Sequence, residues 1–172
     1  MGEIIEYNNF LSIDDLKYII NYLQGCEWTM QNSTSDSQTI NSFAKDIQFK
    51  YHECGDIDFF NSKLFNQIVS FLNIKSCDIE RIYFNRQSFN ESGSFHIDGC
   101  EKTVLIYISQ YDEDWGGFTQ IQTYNNEYKF VIPYQRKLLY FPGNLLHKGF
   151  SFSYENCPDR ISLAYKLDNV KS

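Results

Sequence analysis

Arg160-Ile161-Ser162-Leu163-Ala164-Tyr165-Lys166-Leu167 reads as a β-strand with one apolar face. Successive side chains of a strand point to opposite sides, so Arg160, Ser162 and Ala164 share one face and Ile161, Leu163, Tyr165 and Leu167 the other. An arginine beside a small hydroxyl residue, on a face that would otherwise be core, suggests a buried anion. The guanidinium fork matches a carboxylate with two parallel hydrogen bonds. The plainer alternative is an edge-strand arginine reaching water.

Upstream of this segment the same period of two recurs. Candidate strands are Ile79 to Phe89, Thr103 to Ser109, Phe118 to Thr123, Tyr128 to Ile132 and Lys137 to Phe141. Turn signals separate them at Asn90–Gly93, Trp115-Gly116-Gly117, Asn125-Asn126, Pro142-Gly143-Asn144 and Cys157-Pro158-Asp159. Before Asp78 the period is helical. Ser12 opens a helix with Asp15 three residues on as the acidic half of a capping pair. Ile13, Leu16, Ile19, Ile20 and Leu23 follow at helical spacing up to Gly25. A second helix is expected from Asp56 or Asp58 to about Asn73, with Phe60, Leu64, Ile68, Phe71 and Leu72 as its stripe. Ile4–Tyr7 and Thr39–Tyr51 are further strand candidates, and the polar stretch from Met30 to Thr39 reads as a surface loop. Helices followed by many short strands predict an α+β, mainly β fold: a jelly roll (double-stranded β-helix) with the helices packed against one sheet. The length fits one domain over 1–172, with 1–78 as support and 79–167 as the jelly-roll core.

Composition narrows the function. Aromatic residues make up 17% of the chain, which suits half-buried pleated surfaces. The net charge of −7 is the wrong sign for holding a phosphate backbone, so nucleic acid is disfavoured as a partner. Cys26, Cys54, Cys77, Cys100 and Cys157 form an odd set without CxxC pairs, as expected of free thiols in the cytoplasm. The N-terminus lacks the pattern of a secretory signal, and no apolar run is long enough to span a bilayer.

Histidine is scarce: His52, His96 and His147. On a strand, His96 and Asp98 would point the same way and converge on one point. A His-x-Asp arises by chance about 0.2 times in a chain of this composition, so the tripeptide alone carries little. His147 follows the turn after Phe141-Pro142-Gly143 and could supply a third ligand from across the sandwich, or be a packed core histidine. Two histidines and one carboxylate on one face of a metal form the triad of non-haem Fe(II) oxygenases.

The run Phe95-His96-Ile97-Asp98, Thr103-Val104-Leu105-Ile106-Tyr107-Ile108-Ser109, Asp114-Trp115-Gly116-Gly117-Phe118-Thr119, Leu138-Leu139-Tyr140-Phe141-Pro142, His147 and Arg160-Ile161-Ser162 resembles the 2-oxoglutarate and Fe(II)-dependent oxygenases of the prolyl 4-hydroxylase-like group. The resemblance implies that His96, Asp98 and His147 ligate iron. It implies that Arg160 binds the distal carboxylate of 2-oxoglutarate, with Ser162 as helper and Tyr107 as a further donor. The implied enzyme is a dioxygenase that hydroxylates a prolyl residue in a peptide, free proline or a related small molecule. Succinate and carbon dioxide are the co-products, with ascorbate as reductant. A catalytically silent jelly-roll binding module and a nucleobase dealkylating oxygenase are the competing readings. The chain departs from the group's pattern at Phe118, where a Glu is frequent, and in the long interval from His147 to Arg160, read as a loop over Ser153–Pro158.

Overall fold

In the computed structural model, which describes residues 3–31 and 49–171, the chain is mainly β with two short helices and antiparallel sheets. The strands are β1 (Ile5–Tyr7), β2 (Thr29–Gln31), β3 (Phe49–Glu53), β4 (Ser76–Gln87), β5 (Lys102–Tyr107), β6 (Thr119–Gln122), β7 (Tyr128–Val131), β8 (Leu138–Pro142), β9 (His147–Gly149) and β10 (Arg160–Lys171). Seven form one sheet in the order β1-β8-β5-β10-β4-β3-β2, and β7-β6-β9 form a second. Every predicted strand from Ile79 onward is present within a few residues of its expected ends. The Met30–Thr39 loop and the start of the Thr39–Tyr51 strand lie mostly outside the described residues.

Helix α1 (Ile13–Leu23) begins as its capping pattern predicts, with the Asp15 amide donating to Ser12 Oγ at 3.0 Å. The second predicted helix is divided. Phe59–Leu64 is wound as a wide π-turn, and α2 (Phe65–Phe71) continues it. The wide turn carries Phe59, Phe60 and Leu64, all of them in the core.

Both helices cover one face of the large sheet. Leu16, Ile19, Phe60, Leu64 and Ile68 pack there against Ile82, Phe84, Val104, Ile106, Leu163 and Tyr165. The opposite face meets the small sheet through a second apolar layer that includes Leu105, Tyr107, Ile121, Val131, Leu139, Phe141 and Ala164. The alternation of β10 thus divides two cores: Leu163 and Tyr165 face the helices, and Ala164 faces the small sheet. The functional face lies between the sheets. There β10 is central, with Ser162 opposite Tyr107 on β5 and Asn85 on β4.

Candidate metal centre

His147 opens β9, and its backbone exchanges hydrogen bonds with His96 (His96 N to His147 O 3.0 Å, His147 N to His96 O 2.9 Å). The His96–Asp98 segment was expected on a strand. Instead it is an extended stretch with a single bridge to His147, extended by the Asp98 amide donating to Gly143 O at 2.8 Å. That pairing orients the side chains as a strand would, because each residue is still registered against its partner. One ligand atom from each of His96, Asp98 and His147 lies within 4.8 Å of the others. The two imidazole rings stand 4.3 Å apart.

The donor chemistry fits a divalent metal. Nδ1 of His96 lies 2.9 Å from Ser94 O and Nδ1 of His147 lies 2.8 Å from Leu145 O. A carbonyl only accepts, so each Nδ1 carries the proton and each Nε2 presents a lone pair. Both Nε2 atoms face Asp98, at 3.7 Å from Oδ1 for His96 and 3.4 Å from Oδ2 for His147. Burial, with the neighbouring His96 and Lys166, pushes the His147 pKa down to about 4 against the pull of Asp98, so the ring is neutral and competent to ligate. Burial alone would raise the Asp98 pKa, but Lys166, His147 and His96 hold the carboxyl well below its usual range.

The triad opens into a cavity of about 400 Å³. At its far end Arg160 is 3% exposed. Its Nε donates to Gly117 O at 2.8 Å, Nη1 to Gln87 Oε1 at 2.7 Å and Nη2 to Thr119 Oγ1 at 2.8 Å. All three partners are neutral, and no carboxylate pairs with the guanidinium among the described residues. Burial lowers the Arg160 pKa somewhat, yet a guanidinium stays charged at neutral pH. The Trp-Gly-Gly turn has a structural task here. Gly117 has φ 73°, and a Cβ on it would come within 2.5 Å of Phe152, so only glycine brings this carbonyl to Arg160.

Ser162 lines the cavity together with Tyr83, Asn85 and Gln87, candidates from the segment before the triad; Arg86, a fourth candidate, instead donates to Asp159, and Arg81 lines the cavity. Tyr107 does not line it: its hydroxyl donates to Thr119 Oγ1 at 2.7 Å, and Thr119 faces the space. The loop over Ser153–Pro158 does not line the cavity, and Phe152 just before it packs on Trp115 with ring centroids 5.4 Å apart. Asn85 Oδ1 is buried with no hydrogen-bond partner among the described residues, an acceptor left available to a ligand in the cavity.

Sequence reasoning missed Lys166. Its ammonium forms an ion pair with Asp98 Oδ2, lies 3.4 Å from Thr103 Oγ1, and is buried at 8% exposure. Burial lowers its pKa, but Tyr83 and Asp98 more than reverse this, so it is held charged. The signal was present in the strand period: Lys166 continues the series Arg160, Ser162, Ala164.

No protein-family model and no curated protein sequence matches the chain. Solved structures do match. A 2OG-Fe(II) oxygenase family oxidoreductase from Burkholderia pseudomallei superposes with a TM-score of 0.74 at 10% identity, covering 97% of this chain and 84% of that one. A prolyl hydroxylase from Trichoplax adhaerens, solved with a hypoxia inducible factor oxygen degradation domain peptide fragment, gives 0.71 at 15% identity, covering 96% and 83%. A Pseudomonas putida prolyl-4-hydroxylase gives 0.68 at 14% identity, covering 95% and 91%. The chain therefore has the fold of the 2OG-Fe(II) oxygenases, with prolyl hydroxylases among its structural neighbours.

Proposed function

We propose that the chain is an Fe(II)- and 2-oxoglutarate-dependent dioxygenase that hydroxylates a prolyl residue in a peptide, free proline or a related small molecule. One observation carries this reading: two imidazole Nε2 atoms and a carboxylate meet at the wall of a cavity that also holds a buried arginine with neutral hydrogen-bond partners. His96, Asp98 and His147 would hold the metal on one face, leaving the other face to ligands from the cavity. Bound together, iron and 2-oxoglutarate would supply the dioxygen chemistry that hydroxylates an unactivated C–H bond, with succinate and carbon dioxide as co-products.

The protein's own part is orientation and charge. Arg160 pairs with the distal carboxylate, and Ser162, on the same strand face, adds a hydroxyl beside it. Tyr107 acts through Thr119, whose oxygen it shares with Arg160. Tyr83 and Asn85 line the wall where substrate would enter, and the open Asn85 acceptor suits an N–H or O–H on that substrate. The Trichoplax adhaerens neighbour with its peptide supports a peptide substrate for this chain too. The free thiols fit a reducing compartment such as the cytoplasm. No described helix is long and apolar enough to cross a membrane.

The test is succinate release from 2-oxoglutarate with Fe(II) and ascorbate. The wild-type protein is expected to turn over slowly even without substrate, and His96→Ala not at all. Mass spectrometry of prolyl peptides and free proline after turnover should show a gain of one oxygen. Iron-independent or absent succinate formation would leave the silent binding module instead.

A further inference from the structure

We propose that Lys166 is a positioning residue for the metal, an ammonium charge that selects the ligating oxygen of Asp98 and loosens the site's hold on divalent cations. The inference rests on the reading of His96, Asp98 and His147 as a metal site.

The geometry is specific. Thr103 Oγ1 donates to Asp98 Oδ2 at 2.5 Å, and the Lys166 ammonium pairs with that same oxygen. Oδ1 accepts no hydrogen bond among the described residues and faces His96 Nε2 at 3.7 Å, while Oδ2, besides its two donors, lies 3.4 Å from His147 Nε2. Two donors on one oxygen leave the other for a cation, which favours single-oxygen ligation. The contact is fixed by the sheet: β10 places Lys166 opposite Thr103 on β5, so donor and ammonium reach the carboxylate together. The Tyr83 ring lies 5.8 Å from the ammonium and closes its other side.

The charge has a consequence of its own. Lys166 cancels the charge of Asp98, so a divalent ion held between neutral imidazoles keeps both of its charges; without Lys166 the centre would keep one. A like charge this close, in a buried site with little screening, opposes cation binding and opposes a trivalent ion more strongly than a divalent one. The same positive excess attracts a dianionic ligand such as 2-oxoglutarate. Lys166 thus trades metal affinity for a centre that stays ferrous and accepts an anion.

The experiment is Co(II) titration by calorimetry and by visible absorption, on wild type, Lys166→Met and Lys166→Arg. Lys166→Met should bind Co(II) about tenfold more tightly, and Lys166→Arg should stay within about twofold of wild type. The Fe(III)/Fe(II) potential should fall in the Met variant alone. Lys166→Gln, polar but uncharged, serves in its place should the Met variant not fold. Unchanged or weaker Co(II) binding in the uncharged variants overturns the proposal, as would equal shifts in the Met and Arg variants, which would make shape rather than charge the cause. Failure of wild type to bind Co(II) would overturn the metal site itself, an outcome distinct from the other two.

Discussion

Arg160 and Lys166 stand on the same face of one strand, both buried and both charged, yet their surroundings are opposite. Arg160 donates to a carbonyl, an amide oxygen and a hydroxyl, all neutral, while Lys166 sits against a carboxylate. A buried cation with only neutral partners is an incomplete arrangement, because hydrogen bonds to dipoles do not cancel its charge. On the proposed reading it receives the distal carboxylate of 2-oxoglutarate. A buried cation already paired with a carboxylate has its charge matched and instead modifies what the carboxylate does. On the proposed readings one strand face carries a docking charge at one end and a tuning charge at the other.

The comparison breaks most readily at Arg160. Replacement by Ala should raise the 2-oxoglutarate concentration needed for half-maximal turnover by at least about 100-fold, since two charge-assisted hydrogen bonds contribute roughly 1.5–3 kcal/mol each. Co(II) affinity should stay within about threefold of wild type, whereas the Lys166 substitutions move it. A change in Co(II) binding as large as that of Lys166→Met would erase the distinction between the two ends. Arg160→Lys should recover little, because a single ammonium cannot reproduce the fork.

Tyr107→Phe sharpens the same contrast with a smaller effect. The Tyr107 hydroxyl spends itself on Thr119, so its loss should cost about 1 kcal/mol of stability and raise the 2-oxoglutarate requirement less than about threefold. Urea unfolding and steady-state kinetics measure the two. A rise comparable to that of Arg160→Ala would mean that Tyr107 reaches the ligand directly.

A second ion pair, remote from the cavity, gives the reference for an exposed cation. Lys63 Nζ lies 2.6 Å from Asp15 Oδ1; the lysine is largely exposed and the carboxylate buried. Burial would raise the Asp15 pKa, but Lys63, Ser12 and Gln67 together lower it. A carboxyl with a depressed pKa in the folded state stabilises above its unfolded pKa, and that contribution is lost as pH falls through the folded value. Asp15→Asn should flatten this acid limb of the stability profile by about 1 kcal/mol or less, given the exposure of Lys63, and leave Co(II) affinity unchanged. A shift in metal binding would tie helix α1 to the centre.

Chemical unfolding and metal titration together would thus separate three roles of buried or half-buried charge: docking, tuning and scaffold. The separation also shows what could be read in advance. Ser12 and Asp15 announced the start of α1 because capping is local, and the alternation in β4, β5 and β10 announced strands because the pleat has a period of two. Residues 59–64 differ from the helix their spacing predicts only in how tightly they are wound, which the spacing of apolar residues does not resolve. The His96–Asp98 segment was read as strand, yet only one bridge holds it, because its pairing depends on β9, a strand too short to show a period of its own.

By itself the sequence determined the mainly β class, the faces of the long strands and the residue types needed for a two-histidine, one-carboxylate site. These follow from periodicity and side-chain chemistry, which are properties of neighbours in the chain. Only the tertiary structure decided that His147 turns toward Asp98, that Tyr107 spends its hydroxyl on Thr119, and that Lys166 meets the carboxylate of Asp98. Each of these contacts joins residues far apart in the chain or on different strands, so its existence depends on register and sheet packing, which no local pattern encodes.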